Sequence, residues 1–325
     1  MYFSPNPNIA MIQEEDYPDK IRQIEQTIAH YSNRGMLPGF DGLPLAYEYI
    51  LAKSAKASIV FLHGYTEFYQ KFYELAWYLL NQGYNIFLYD MRGHGKSGRQ
   101  VSNESLSHVN AFEDYVQDLD CIITQLVMQQ APNLPIYLYS HSMGGAIAAY
   151  YLATPDCAVS RAVLSSPMIR PCTHHIPACI VKCYAALCAK KNGWDAGFPK
   201  SPAFNPNAPI ATSNDTSPAR YAHFLDIRCR DTAYQNSTCT NRWMYEAMCV
   251  EKHLLSPATT KAIHARTLIL SAGLDTTVVN RPQKKFFRRL ENASFYSFPD
   301  SRHTIYTSNF KNRQKLLDLL IAFYQ

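Results

Sequence analysis

The sequence predicts an α/β fold, with a mostly parallel central sheet and helices on both of its faces. Short apolar runs typical of buried strands alternate with segments of helical periodicity along most of the 325 residues, and this alternation favours a parallel sheet. A tight strand-to-helix turn, Ser-His-Ser-Met-Gly-Gly, occupies 140–145. Between Pro167 and about Ala262 the alternation stops. This segment is predicted to be a mainly helical cap over the carboxyl ends of the strands, where ligands of such sheets bind.

Each element of this fold is predicted from a local pattern. A short helical pattern predicts a helix over 17–31, and the pair Asp41-Gly42 predicts the turn of a hairpin over 40–51. Apolar runs predict the remaining strands, and apolar residues at helical spacing predict the remaining helices. The expected strands are 58–62, 84–89, 134–139, 161–165, 266–272 and 294–298, and the expected helices are 68–81, 112–130, 146–153 and 310–323.

These elements divide the chain into three parts. Residues 1–35 form a polar N-terminal extension, the α/β domain comprises 36–167 and 263–325, and the cap is 168–262. The hydrophobic fraction of 47% is sufficient for the core of one large domain with such an insertion.

Composition also bears on the compartment. No apolar run approaches the ~20 residues that span a bilayer, and Met1–Asn6 lacks the basic and apolar parts of a signal peptide. The nine cysteines have no regular spacing, which argues against a disulfide framework and for a reducing compartment. We therefore expect a cytoplasmic protein.

The turn at 140–145 is typical of a nucleophile elbow, in which a strained backbone lifts a serine hydroxyl clear of the sheet. The usual pattern is G-x-S-x-G, and here Ser140, which is also small, stands at the first glycine. Gly144 allows the following helix to approach closely. Ser142 is therefore the expected nucleophile, and the alternative is a strand–turn–helix without chemistry.

A serine nucleophile needs a base and an acid. His303 follows the last predicted strand, and Asp275 follows the strand before it, so both would reach the sheet edge where Ser142 lies. Asp300 is the rival acid, but it is only three residues from His303 and fits a turn better. The order Ser, Asp, His is that of α/β-hydrolases and differs from the order in chymotrypsin-like and subtilisin-like proteases.

Two backbone N–H groups are expected to form the oxyanion hole. Met143 directly follows the nucleophile, and Tyr65 lies in the loop after strand 58–62, where Gly64 would let the backbone approach the reacting carbon. The glycines of the 90–97 loop have no G-x-G-x-x-G spacing, which argues against a nucleotide site. No cofactor is expected.

Together these motifs resemble the α/β-hydrolase fold, and within it the serine hydrolases that include monoacylglycerol lipases and bacterial inner-membrane lysophospholipases. The resemblance to lysophospholipases is the closer one and extends through most of 36–325. It implies ester hydrolysis of a single-chain lipid through an acyl-enzyme, without a metal or organic cofactor. The segments that carry it are 73–76, 108–109, 112–119, 141–147, 166–168 and the cap stretch around Arg220-Tyr221.

The cap suggests substrate contacts. Ile180 and Tyr184 belong to an apolar stripe at near-helical spacing, which packs on the α/β domain, lines an acyl channel or touches a bilayer. Basic cap residues, among them Arg220, Arg228 and Arg230, either meet a headgroup phosphate or are solvated or ion-paired. The spacing of Cys179, Cys183 and Cys188, with His174 and His175 nearby, matches no familiar zinc motif, so no metal is expected.

Charge is concentrated near the C-terminus, where residues 257–325 hold 11 Lys and Arg against 4 Asp and Glu. This excess is either the solvated face of a helix or a surface for anionic lipid headgroups, and no nucleic-acid motif accompanies it. Together with the apolar cap stripe, it leads to the hypothesis of peripheral contact with the cytoplasmic face of the inner membrane. The densest cluster comprises Arg281, Lys284, Lys285, Arg288 and Arg289.

Other function classes remain open at this point. A carboxylesterase for small esters, or an aminopeptidase-like hydrolase, would use the same motifs. A non-catalytic binding module on a hydrolase fold would keep the fold without the activity, although every predicted catalytic part has a residue in this sequence.

Overall fold

The computed structural model describes residues 1–174, 176–199 and 202–325. Eight strands form the central sheet in the order β1-β2-β4-β3-β6-β7-β9-β10, and β5 and β8 form a separate parallel pair. The β1–β2 and β2–β4 pairs are antiparallel, and all other neighbours in the main sheet are parallel. The strands in chain order are β1 (Asn33–Pro38), β2 (Pro44–Ile50), β3 (Ser58–Leu62), β4 (Asn85–Tyr89), β5 (Leu106–Ser107), β6 (Ile136–His141), β7 (Val159–Ser165), β8 (Thr238–Cys239), β9 (Arg266–Ala272) and β10 (Ala293–Phe298).

Helices cover both faces of this sheet. The expected helix over 112–130 is continuous, because a π-helical segment, Ile122–Val127, joins α3 to α4. The helices in chain order are α1 (Tyr17–Tyr31), α2 (Tyr73–Asn81), α3 (Glu113–Cys121), α4 (Met128–Gln130), α5 (Met143–Tyr151), α6 (Ala178–Asn192), α7 (Pro218–Arg230), α8 (Asn241–Ala247), α9 (Val250–Leu254), α10 (Pro257–Ala262), α11 (Asn280–Phe287) and α12 (Phe310–Tyr324).

The middle strands are apolar because both of their faces are buried. In β3, Val60 and Leu62 pack on one side of the sheet with α3 and α5, whereas Ile59 and Phe61 pack on the other side with α2 and α12. Strands buried in this way read as continuous apolar runs, which is why their positions could be predicted closely.

The N-terminal segment packs against the α2 and α12 side of the sheet. Ile21, Ile24 and Ile28 of α1 are buried there, at the spacing of one helix face. Phe3 is also buried, and its N–H donates to the Leu51 carbonyl at 2.9 Å. The segment is polar in sequence, but its few apolar residues cover the core. The division of the chain into domains stays a prediction.

The hairpin differs from its predicted bounds. Its strands are β1 and β2, so the first strand begins at Asn33 rather than near Phe40. The turn itself lies where Asp41-Gly42 predicts it, closed by a hydrogen bond from the Gly39 N–H to the Leu43 carbonyl at 2.8 Å. The predicted start is wrong because β1 is a half-exposed edge strand, and such a strand has no run of apolar residues to mark it in the sequence.

The segment between β7 and β9 contains five helices, α6 to α10, within the described residues. The short strand β8 in this segment pairs with β5, which precedes α3. Trp243 of α8 lies against the Tyr65 ring, with ring centroids 4.3 Å apart. These contacts attach the segment to the loops at the carboxyl ends of the strands.

Candidate active site

Ser142 occupies a strained turn between β6 and α5. Its φ is +54° and its ψ is −115°, and a non-glycine residue with positive φ persists only where surrounding structure holds it. Two backbone hydrogen bonds do so. The Ser142 N–H donates to the Ser165 carbonyl at 3.0 Å, and the Met168 N–H donates to the Ser142 carbonyl at 2.9 Å.

Ser140 and Gly144, the small residues on either side of Ser142, are needed for different physical reasons. A Cβ on Gly144 would lie 2.5 Å from the Leu62 carbonyl oxygen and 2.7 Å from that of His63, so only glycine lets α5 approach β3 so closely. Ser140 is fully buried, and its hydroxyl donates to the Val163 carbonyl at 2.8 Å. Serine therefore fits where the usual pattern has glycine, because a neighbouring strand accepts its hydrogen bond.

The structure brings the three predicted side chains into one hydrogen-bonded chain. His303 Nε2 lies 2.8 Å from the Ser142 Oγ, and His303 Nδ1 lies 2.7 Å from Asp275 Oδ2. The other Asp275 oxygen accepts the backbone N–H groups of Thr277 and Val278, at 2.8 and 3.0 Å, which fixes the carboxylate. This arrangement can take a proton from a serine hydroxyl and hold the imidazole in the required tautomer.

Asp300, the alternative acid, is exposed in the turn after β10. The side chains of Asp275 and His303 are 0% and 3% exposed. Burial excludes water from the hydrogen bond between the imidazole and the carboxylate and strengthens it. The geometry therefore favours Asp275.

The loop after β3 brings Tyr65 toward the elbow. Its backbone is fixed by reciprocal contacts, because the Gly64 N–H donates to Glu67 Oε2 at 2.8 Å and the Glu67 N–H donates to the Gly64 carbonyl at 3.2 Å. No acceptor among the described residues takes the N–H of Tyr65 or of Met143. Two free donors beside a serine hydroxyl are what an oxyanion hole requires.

Comparison with known proteins identifies the family. A family model described as "Serine aminopeptidase, S33" matches residues 53–308. The chain belongs to this family. Family membership and the relatives confirm the predictions of an α/β-hydrolase fold and of a carboxylic ester hydrolase.

Among curated relatives, this S33 hydrolase is similar to lysophospholipase L2 of Escherichia coli (strain K12), with 27% identity over 259 residues, 76% of this chain and 72% of that protein. Human monoglyceride lipase is 31% identical over 157 residues, 48% of each chain. A soluble variant of the Saccharomyces cerevisiae monoglyceride lipase, solved with a substrate analog, superposes with a TM-score of 0.72 at 18% identity, covering 90% of this chain and 94% of that one. This superposition shows the shared fold.

Two buried histidines of the S33 hydrolase stay neutral beside the site. His63 Nε2 accepts the Met91 N–H at 3.0 Å, which only the unprotonated nitrogen can do, and its Nδ1 lies 2.8 Å from the Gly64 carbonyl. Burial lowers the pKa of His63 to about 4 and that of His141 to about 3. The His141 ring is 4.8 Å from the His303 ring.

A buried charged cluster, which sequence reasoning missed, lies behind the Tyr65 loop. Lys71 Nζ is 2.8 Å from Glu67 Oε1 and 3.3 Å from Asp215 Oδ1. Burial opposes ionisation of Glu67, but the Lys71 ammonium lowers the pKa of this carboxyl well below its ordinary value. Tyr306 Oη donates to the same carboxylate at 3.2 Å. The only sequence signal was the i, i+4 spacing of Glu67 and Lys71.

The cluster borders a cavity of about 230 Å³, here called the polar cavity. Tyr65 and Thr66 of the loop after β3 line it, together with Thr304, which directly follows His303. The remaining lining residues are Glu67, Lys71, Ala208, Thr212, Ser213, Asn214, Asp215, Tyr221, Phe224 and Arg228.

The structure corrects one predicted substrate contact. Arg220 is 2% exposed, and its Nε and Nη2 donate to the two Glu74 oxygens at 2.7 Å each. Its Nη1 donates to Glu14 Oε2 at 2.9 Å, and its guanidinium lies over the Tyr17 ring at 4.2 Å. Arg220 is therefore committed to buried ion pairs between α7, α2 and the N-terminal segment, and it is not available to a headgroup.

The other two predicted contacts lie on the surface. Ile180 and Tyr184 are 55% and 47% exposed on α6, and neither lines the polar cavity. The rings of Tyr184 and Phe198 meet edge to face, with their centroids 5.8 Å apart. Among the described residues, the apolar stripe thus forms an exposed face rather than the wall of this cavity.

In the part of the chain that the structure describes, no group of three His, Cys, Asp or Glu side chains is arranged to hold a metal ion. Cys179 and Cys183 are exposed on α6, and His175 lies outside the described residues. None of the described helices is long and apolar enough to cross a membrane.

Proposed function

We propose that this protein hydrolyses the acyl ester of a single-chain lipid, with lysophospholipid as the first substrate and monoacylglycerol as the second. The observation that carries the proposal is the position of His303, whose two ring nitrogens lie 2.8 Å from Ser142 Oγ and 2.7 Å from Asp275 Oδ2. A base held between a nucleophile and a carboxylate is the arrangement of acyl transfer.

In the proposed mechanism, Ser142 Oγ attacks the acyl carbonyl carbon while His303 Nε2 takes the hydroxyl proton. The N–H groups of Tyr65 and Met143 stabilise the tetrahedral oxyanion. His303 then donates its proton to the leaving alcohol, which departs and leaves an acyl-enzyme. Water, deprotonated by His303, then attacks the acyl carbon. The bond from this carbon to Ser142 Oγ breaks, His303 returns the proton to Ser142 Oγ, and the fatty acid is released. Asp275 stays ionised and stabilises the imidazolium in both halves.

The substrate class is supported by relatives and by the site. The alignment that covers most of this chain is with a protein named lysophospholipase, and shorter alignments are with monoglyceride lipases. The polar cavity beside the Tyr65 loop suits a hydrophilic alcohol better than an acyl chain, because charged and hydroxyl groups dominate its lining. A small-ester carboxylesterase is the remaining alternative.

A substrate panel tests this assignment. The purified enzyme is given 1-acyl lysophosphatidylethanolamine and 1-monoacylglycerol, each with acyl chains from C4 to C18, and an aminoacyl p-nitroanilide as the peptidase control. We expect kcat/KM to rise with chain length and to be highest for the lysophospholipid. A preference for butyryl esters, or cleavage of the anilide alone, would reject the lipid assignment.

We also propose that the protein contacts anionic membranes from one side. Ile176, which precedes α6, and Leu187 on α6 are 51% and 62% exposed. Arg170 lines both a basic groove and the neighbouring depression that contains Ile176, so the apolar and basic surfaces are continuous. The other basic residues of that groove are Arg281, Lys284, Lys285 and Arg288.

Vesicle sedimentation tests the membrane proposal. At low salt, where attraction is strongest, we expect binding to phosphatidylglycerol vesicles and little binding to phosphatidylcholine vesicles. Replacing Lys284 and Lys285 by Glu should abolish binding. The same replacements at Lys311 and Lys315, exposed on α12 across the sheet, change the net charge equally and should preserve it. Equal binding by both double variants would contradict the proposed surface.

A further inference from the structure

The polar cavity adjoins the point from which the leaving alcohol would depart. Tyr65, whose N–H would hold the oxyanion, and Thr304, next to His303, both line it. Its volume of about 230 Å³ is below the ~300 Å³ at which pockets for whole drug-sized ligands begin. The cavity therefore has room for a small polar group and not for a complete lipid.

Two cations line this cavity, and they differ in their partners. Lys71 lies between the carboxylates of Glu67 and Asp215, so its charge is compensated. Arg228 makes no ion pair within the described residues. Its Nε donates to the Tyr234 carbonyl at 2.9 Å and its Nη2 to the Asn236 carbonyl at 2.6 Å.

The Arg228 guanidinium is held in place but keeps donor capacity. Its two bonded nitrogens are fixed by backbone carbonyls, and the Phe204 ring lies 4.5 Å from its central carbon. Its Nη1 donates to no acceptor among the described residues. Burial lowers the pKa of Arg228 to about 10, which leaves the side chain charged at neutral pH. A fixed, partly buried cation without an anion is costly unless a ligand compensates it.

The nearby carboxylates do not compensate the charge of Arg228. Glu67 accepts from Lys71, from Tyr306 and from the Gly64 N–H, so both of its oxygens are used. Asp215 accepts from Ser213 and Thr307 in addition to its contact with Lys71. These groups form a closed cluster, and none of them forms an ion pair with Arg228, which lines the cavity.

We propose that Arg228 binds the phosphate of the headgroup that leaves when a lysophospholipid is cleaved. The inference rests on the proposed function and adds the residue that selects between its two substrates. A guanidinium matches a phosphate in charge and in planar hydrogen-bonding geometry. A monoacylglycerol has no phosphate, so it gains nothing from Arg228. Hydrogen bonds to charged groups correspond to a preference of about 10- to 100-fold.

The test compares two substrates with the same acyl chain, 1-acyl lysophosphatidylethanolamine and 1-monoacylglycerol. Arg228→Gln should lower kcat/KM for the lysophospholipid about 10- to 100-fold and leave that for the monoacylglycerol nearly unchanged. Arg228→Lys, which keeps the charge, should fall between. The matched control is Arg230→Gln, at an exposed residue of the same helix that pairs with Asp226. It should change neither value.

An equal loss on both substrates, or no loss on either, would overturn the role of Arg228 while leaving the proposed function in place. If the wild-type enzyme released fatty acid from neither lipid, the proposed function itself would fail. Thermal unfolding of each variant shows whether a loss reflects misfolding.

An inhibition experiment on the wild type does not depend on the folding of any variant. With monoacylglycerol as substrate, glycerol 3-phosphate should inhibit competitively at a concentration at least tenfold lower than glycerol. Inorganic phosphate should inhibit less than glycerol 3-phosphate if the site takes a headgroup. Equal inhibition by the two phosphates would assign the site to free phosphate, and equal inhibition by glycerol and glycerol 3-phosphate would exclude a phosphate site.

Discussion

The Gly144 N–H donates a hydrogen bond to the His63 carbonyl at 3.1 Å, which joins the helix after the elbow to the end of β3. The loop that contains Tyr65 begins directly after this contact. This contact therefore fixes the relative positions of the Tyr65 and Met143 N–H groups, which are proposed to form the oxyanion hole. The distance between the two groups depends on how closely α5 approaches β3.

Gly144→Ala is therefore expected to impair both stability and activity. The new Cβ would lie 2.5 Å from the Leu62 carbonyl oxygen, so α5 would have to move away from β3. We expect a loss of about 2–4 kcal/mol in the free energy of unfolding and a lower kcat, measured by urea denaturation and ester hydrolysis. Gly197→Ala is the control, because its Cβ would have an ordinary contact of 3.4 Å with Leu106. Equal effects of the two substitutions would contradict the close approach.

Asp275→Asn tests which carboxylate orients the base. An amide can present its NH₂ group to His303 Nδ1 and favour the wrong tautomer, which in a related triad costs about 10⁴-fold in kcat. We expect a loss of that order with little change in the thermal unfolding temperature. Asp300→Asn, at the exposed alternative, should keep wild-type kcat. A large loss for Asp300→Asn would reverse the assignment.

Stability should fall in mild acid because His63 must stay neutral in the fold. Its folded pKa, about 4, is below the ordinary 6.5. The unfolded chain therefore binds more protons between these values, and the free energy of unfolding decreases as pH falls. From pH 7 to pH 5 we expect this residue to contribute a loss of about 2 kcal/mol, measured by urea denaturation.

The control separates His63 from the other histidines. His63→Gln should flatten the pH dependence by about that amount, whereas His264→Gln, at an exposed histidine, should leave the wild-type slope. An unchanged slope in His63→Gln would show that folding does not lower the pKa of His63.

Arg220→Met should affect stability rather than substrate affinity. It leaves the buried Glu74 carboxylate with Arg313 as its remaining cation, at 3.1 Å. Breaking a buried pair in this way costs about 3–5 kcal/mol. Arg22→Met removes an exposed pair with Asp19 and should cost less than about 1 kcal/mol. A raised KM for lysophospholipid at unchanged stability would restore the headgroup role that the structure argues against.

Local chemistry made much of this fold predictable. The predicted ranges match the observed bounds of α1, β3 and β9. Each of these elements has an unbroken sequence pattern that fits only one type of secondary structure. The predicted start of the helix after the elbow, at 146, is three residues late. Gly144 and Gly145 are poor helix formers, and they are required there by close packing against β3 and Pro167 rather than by helix propensity.

Ser142, Asp275 and His303 could be predicted as a candidate site, because each follows a predicted strand and their order along the chain is typical of one class of hydrolase. Contacts between distant segments could not be predicted. Arg220 and Glu74 are separated by 146 positions, and nothing in either local pattern indicates their pairing. The uncompensated charge of Arg228 is likewise visible only after the fold shows which cations have carboxylate partners.

The central claim is that Ser142 is the nucleophile of a lipid ester hydrolase. The most direct measurement is fatty-acid release from 1-acyl lysophosphatidylethanolamine by purified wild type and Ser142→Ala, with thermal unfolding to confirm that both are folded. The account predicts release by the wild type and a loss of at least about 10⁴-fold in the variant. A folded Ser142→Ala protein that releases fatty acid at the wild-type rate would contradict it.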